Sequence, residues 1–225
     1  MKLKYALGVA ALLCASVSYG DTIADWTFET SLPTTAGPFA AEIGSGSASG
    51  HHAGTSTYSS PAGNGSSHSF SSNVWAVGDY YEFSVSTTGL ENISVEFDQT
   101  SSNTGPKDFN FQYSTDNSSF TTFASYSVLA NAAPNPAWNA TTSSSLYTIT
   151  ENLSTITALN NATTIYIRLT DKDTTSANGG TVATAGTDRV DNVIITGDKI
   201  PVVPLPAAST GGLILAGLLA ARRRS

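Results

Sequence analysis

Cysteine is all but absent from this 225-residue chain: the one cysteine, Cys14, sits in the N-terminal apolar run. Its surroundings do not make it a lipid-attachment site, because Leu13 stands where a lipobox needs a small residue. A chain cut after Gly20 has no cysteine left, which excludes disulfides and thiol chemistry and leaves stability to packing. Charge is also scarce, at 12% of residues. Between residues 21 and 202 the bases are Lys107, Arg168, Lys172, Arg189 and Lys199, five against 17 acids, a balance of −12. That deficit excludes a nucleic-acid role, which needs a basic stripe to displace counterions. It equally disfavours an anionic membrane surface. No Gly-x-Ser-x-Gly elbow, His-Glu-x-x-His or phosphate-binding Gly loop with Lys is present. His51-His52 has no acidic or cysteine partner at metal-ligand spacing, and His68 stands alone.

The apolar runs lie at the two ends. Lys2 and Lys4 precede a run from Tyr5 to Val17, followed by Ser18-Tyr19-Gly20. Charge, short apolar stretch and small residues in that order read as a secretory signal peptide over 1–20. At the other end, Val203-Pro204-Leu205-Pro206 excludes a helix, because proline removes donors and extends the residue before it. Ala207 to Ala221 carries no charge, and Arg222, Arg223 and Arg224 follow. As a helix that stretch is roughly 22 Å long, short for a hydrocarbon core of about 30 Å. The arginines would remain on the cytoplasmic side and the body would face outward.

Val203-Pro204-Leu205-Pro206-Ala207, the apolar stretch and the Arg cluster together resemble a PEP-CTERM sorting signal in its VPLPA variant. The resemblance covers the last 23 residues, 203–225. It implies export in a Gram-negative bacterium that makes exopolysaccharide, transient anchoring in the inner membrane, and processing by an exosortase-like membrane protease. Leu205 replaces the Glu of the commoner motif, which implies a variant enzyme. A sortase motif would need Thr at the position of Ala208, and a GlyGly signal would place Gly211-Gly212 ahead of the apolar run.

The body, 21–196, reads as strands, with 197–202 as linker. Alternation is plain in Tyr81-Phe83-Val85, Ile93-Val95-Phe97, Phe109-Phe111-Tyr113 and Ile165-Ile167-Leu169. Ile23 to Phe28, Phe120 to Tyr126, Leu146 to Thr150 and Val190 to Thr196 complete the set. Leu153 to Leu159 reads as a short helical turn capped by Ser154. Gly44 to Gly65, Asn131 to Ser145 and Thr174 to Thr187 read as loops. Many short strands with no helices between them predict an all-β antiparallel two-sheet sandwich, jelly-roll-like in form. Phe111-Gln112-Tyr113-Ser114-Thr115-Asp116 resembles a hairpin of secreted bacterial sandwich domains. Arg189-Val190-Asp191-Asn192-Val193-Ile194-Ile195 resembles the closing strand of carbohydrate-binding-like modules. The resemblance implies that the first strand lies beside the last.

That adjacency would bring Asp25, Asp188 and Asp191, with Glu29 and Asn192, toward a structural calcium, which takes six to eight oxygens. The alternative is that the aspartates pair with Arg189 or Arg168, or cap turns. Trp75, Tyr80 and Trp138 are the candidate ligand contacts, since sugars stack on flat rings with a polar edge. Trp26, beside Phe28 on a strand, is expected in the core. These features predict an exported, surface-held, noncatalytic sandwich in an exopolysaccharide matrix. The alternatives are a carbohydrate-binding module with a defined glycan site and a secreted polysaccharide-active enzyme.

Overall fold

The computed structural model describes residues 20–202. The leader and the sorting tail, with Val203 to Ala207 and Arg222 to Arg224, lie outside the described residues. Among the described residues no helix is long and apolar enough to cross a membrane.

Fourteen strands are described, in chain order β1 (Asp21–Trp26), β2 (Phe39–Ala40), β3 (Ile43–Gly44), β4 (Gly46–His51), β5 (Tyr58–Ser59), β6 (Phe70–Ser72), β7 (Tyr80–Val85), β8 (Leu90–Ser101), β9 (Asp108–Ser114), β10 (Thr121–Ser127), β11 (Leu129–Ala130), β12 (Thr148–Asn152), β13 (Ile165–Asp171) and β14 (Asp188–Lys199). They form two sheets. The first runs β11-β8-β14-β1-β3, with β12 on β8 and the β5–β6 pair on β14; the second runs β10-β9-β13-β7-β4-β2. All pairings are antiparallel except the two-residue match of β11 to β8. The first strand does lie against the last, with Asp21 opposite Gly197 and Trp26 opposite Val193.

Alternation produces the core. Tyr81, Phe83, Val85, Phe109, Phe111, Ile165, Ile167 and Leu169 of the second sheet face Trp26, Phe70, Ile93, Val95, Phe97, Val193 and Ile195 of the first. Trp26 is fully buried and meets Phe83 edge-on, with ring centres 5.3 Å apart. Among the described residues the buried cluster runs from Ala24 to Ile195.

The main departure from expectation is β4, inside a stretch read as loop. Its inward side is Gly46, Ala48 and Gly50, which gives no apolar alternation to read. The reason is space: a Cβ on Gly46 would come within 2.6 Å of the Trp26 ring, and one on Gly50 within 2.5 Å of Tyr58. Rings from elsewhere fill the volume this strand leaves. Two smaller shifts occur. The segment from Leu146 begins as a 3-10 turn, Ser145–Tyr147, before β12. The turn near Leu159 spans Thr157–Leu159 and is not capped by Ser154, whose N–H instead donates to Asn152 Oδ1 at 2.9 Å. Strand β14 also continues to Lys199, three residues into the stretch read as linker.

Candidate ligand-binding face

The outward side of the second sheet is polar in register. One row across β4, β7, β13, β9 and β10 is Ser49, Glu82, Arg168, Gln112 and Thr122. The next is His51, Tyr80, Thr170, Asn110 and Ser125. Alternation dictates this: the residues between them, such as Tyr81, Leu169 and Phe111, point into the core.

A planar stack crosses these rows. The rings of His51 and Tyr80 lie 4.6 Å apart and nearly parallel. The Arg168 guanidinium lies 3.8 Å from the Tyr80 ring centre and 3.5 Å from that of Phe120. Tyr80 therefore has His51 on its β4 side and Arg168 on its β13 side. Arg168 Nε also donates to Glu82 Oε2 at 2.8 Å, and another guanidinium nitrogen donates to Asn117 Oδ1 at 3.2 Å. Burial, partly offset by Arg168, raises the Tyr80 hydroxyl above its ordinary value, so it stays a neutral donor. Beside the stack, Thr170 donates to Gln112 Oε1 at 2.8 Å, Gln112 Nε2 donates to Thr122 at 3.1 Å, and Ser125 donates to Asn110 Oδ1 at 2.7 Å. These bonds fix the amides while leaving valences over, since each amide nitrogen carries two hydrogens and each oxygen two lone pairs.

Tyr80 is thus half-buried on an open face, as the sequence suggests, but His51 and Arg168 cover the two faces of its ring, so its hydroxyl edge and not its face is left for a ligand. The other two aromatic candidates are corrected. Trp75 is 7% exposed, donates to Ser72 O at 3.0 Å and meets Tyr81 and Phe109 edge-on. Trp138 is 5% exposed, meets Tyr147 edge-on and donates to Ala62 O at 2.7 Å. Both rings are packing elements, and neither has a face free for a sugar.

The three aspartates do not gather either, and among the described residues no group of three or more His, Cys, Asp or Glu is placed to hold a metal. Asp188 is fully buried, and its two oxygens accept from Gln99 Nε2 and Ser101 Oγ, both at 2.9 Å. Burial nonetheless pushes its carboxyl well up. Asp25 sits beside Glu42, and burial first, then that charge, raises it. Asp191 faces a different loop: its Oδ2 accepts from Asn64 N at 2.8 Å and Ser66 Oγ at 2.7 Å, while its buried Oδ1 has no hydrogen-bond partner. Burial pushes it up to about 7. Glu29 reaches the same loop, accepting from His68 N at 2.8 Å. Trp138 and Asp191 therefore anchor one loop, 62–66, which sequence reasoning had not linked.

Sequence reasoning also missed a buried constellation. His52 Nδ1 lies 3.0 Å from Asp79 Oδ2, and His52 Nε2 lies 3.0 Å from Ser72 Oγ. The order matches an acyl-transfer triad, and residues scattered over 52, 72 and 79 gave no motif. Ser72, however, is 1% exposed, and its hydroxyl also pairs with Tyr81 at 3.0 Å. Burial is the main cause that lowers the His52 pKa, against the pull of Asp79. Two shallow pockets of about 330 Å³ and about 370 Å³ flank His52, and Ser72 lines neither. The constellation joins β6 to the 73–79 turn.

No family model and no curated protein matches the chain. Several solved structures are similar. The CBM22-1 xylan-binding domain of Paenibacillus barcinonensis Xyn10C is 12% identical, with a TM-score of 0.44, over 83% of this chain and 100% of that one. The K3 adhesin domain of Lys-gingipain from Porphyromonas gingivalis is 16% identical, with a TM-score of 0.44, over 78% and 99%. The CBM22-1–GH10 modules of Clostridium thermocellum xylanase 10B, complexed with xylohexaose, are 13% identical at 0.47, over 84% of this chain and 31% of that one. Likeness of this degree concerns the layout of strands in a sandwich.

Proposed function

We propose that the protein is an exported, noncatalytic glycan-binding sandwich that works in an exopolysaccharide matrix through the outer face of its second sheet. The observation that carries this is the Arg168 stack with its flanking amides. Planar groups are locked in place, and Asn110, Gln112 and Thr170 offer fixed donors and acceptors beside them. Pre-ordered polar groups on a rigid sheet lose little entropy when they take up sugar hydroxyls. Arg168 is already paired with Glu82, and the body is acidic, which favours a neutral glycan over an anionic one.

The leader and tail, as read from sequence, supply the address: export, holding in the inner membrane through the tail, and processing by an exosortase-like protease. A calcium ion at Asp191, beside Ser66 Oγ, belongs to this reading as a stabilising element. The orphaned buried Oδ1 supports it. The test of the binding face is a pull-down of residues 21–202 on the producer's own polysaccharide and on neutral and acidic glycan standards. Arg168→Ala and Gln112→Ala are run beside it. Binding that both variants leave intact, or no binding at all, overturns the face as the site.

A further inference from the structure

Rings that a fold does not spend on its own core are the ones a ligand can use. Among the described residues, the phenylalanines, tryptophans and tyrosines are buried or packed against the core with three exceptions: Tyr80, Phe120 and Tyr166. All three belong to the outer side of the second sheet. Tyr80 has His51 and Arg168 on its two faces, and Phe120 has Arg168 on one. Tyr166 is different. It points outward from β13, two residues before Arg168, and its neighbours across the ladders are Ser84 of β7 and Ser114 of β9. Aromatic or β-branched partners across the strands are what stabilise an outward ring. Serine on both sides supplies neither, so the sheet itself gains little from a ring at this position.

The same row borders a cavity. Beyond Ser84 it continues to Ser47 of β4. Ser47, Ser84 and Thr164 line a cavity of about 560 Å³ whose apolar wall is Ile23, Val85 and Leu90. The one charged side chain on it, Asp21, is taken up by Lys199 Nζ at 2.7 Å.

We infer that Tyr166 is the stacking platform of the glycan face, and that it holds a linear neutral glycan passing from the Arg168–Phe120 stack over Tyr166 toward the serine-lined cavity. This rests on the glycan-binding reading above and adds where on the face the sugar rings lie. A pyranose has a C–H face and a rim of hydroxyls. The first suits the tyrosine ring, and the second suits Ser84 and Thr164, whose hydroxyls both donate and accept. From Thr164 to Arg168 the strand spans about 13 Å, room for a chain of sugars and not for one alone. With Arg168 paired to Glu82 and Asp21 to Lys199, the path offers no free cation to an acidic sugar.

The test uses residues 21–202 in native gels cast with neutral or with uronic-acid polysaccharides. A neutral polymer should retard the domain. Tyr166→Thr, which keeps a strand-forming residue, should weaken retention about tenfold, while Tyr166→Phe keeps most of it and both variants melt as the unchanged domain does. Hydroxyl-radical footprinting gives a readout without substitution: bound glycan should protect Tyr166 from oxidation. Retention lost in Arg168→Ala but intact in Tyr166→Thr, or oxidation of Tyr166 unchanged by bound glycan, overturns the platform and leaves the face standing. Equal retention on the uronic-acid polymer overturns the neutral ligand. No retention on any polymer overturns the glycan-binding reading and the platform with it.

Discussion

The guanidinium of Arg168 lies 3.8 Å over the ring of Tyr80, with Phe120 on its other face. This double stack fixes a cation that an exposed strand would otherwise leave mobile. Lysine keeps the charge but not the plane. Arg168→Lys should therefore weaken glycan retention about as much as Arg168→Ala, while lowering stability by about 1 kcal/mol. Affinity electrophoresis beside a thermal melt separates the two effects, and a lysine variant that binds normally would assign Arg168 to charge alone.

Trp138→Ala should cost about 3–5 kcal/mol, the range for emptying a buried aromatic site. It removes the bond to Ala62 O and frees the 62–66 loop. Limited proteolysis should then cut in that loop, with glycan binding per folded molecule unchanged. Binding lost at full stability would return Trp138 to the role the sequence suggested.

Asp191 is raised by burial to about 7, and Asp171 likewise. A carboxyl raised on folding is harmless while protonated in both states. Its ionisation costs stability progressively from about pH 4, the unfolded value, to about 7, and the loss is then complete. In chelator, the melting temperature should fall between those limits. Asp191→Asn, which keeps an acceptor for Asn64 and Ser66, should flatten part of the slope. Millimolar calcium should raise the native midpoint at pH 8 and leave the Asn variant unmoved; equal midpoints with and without calcium would remove the metal and keep the pH effect.

Ser72 should not react with a fluorophosphonate probe, because its hydroxyl is enclosed by His52 and Tyr81. Ser72→Ala should destabilise the fold by about 1–3 kcal/mol by leaving buried polar groups unpaired. Labelling of Ser72 by mass spectrometry would reopen a hydrolytic reading.

Deletion of residues 203–225 should release the protein into the medium. Fractionation of the producing cells reads this directly, and a truncated protein that stays with the envelope would sink the anchor.

Where alternation was strong the strands were legible, as in β7, β8, β9 and β13. β4 was not, because its inward positions are glycine and alanine packed against Trp26 and Tyr58, a relation between distant residues that no local pattern carries. The candidate face was half legible. Tyr80 was found through its neighbour Tyr81, whereas Arg168 and Phe120 meet only once β13 and the hairpin before β10 come together. Trp75 and Trp138 mislead for a common reason: a ring close to Gly78 or among prolines reads as surface, yet each ring plugs its own segment into the body.

β14 is hydrogen-bonded to β8 on one side and to β6 and then β1 on the other, and the chain leaves the sandwich directly beyond it. A pull on the C-terminus thus runs along the axis of that central strand. It loads both flanking ladders in shear, so many bonds must give way together instead of peeling one after another. A sandwich hung from this end is built to bear tension.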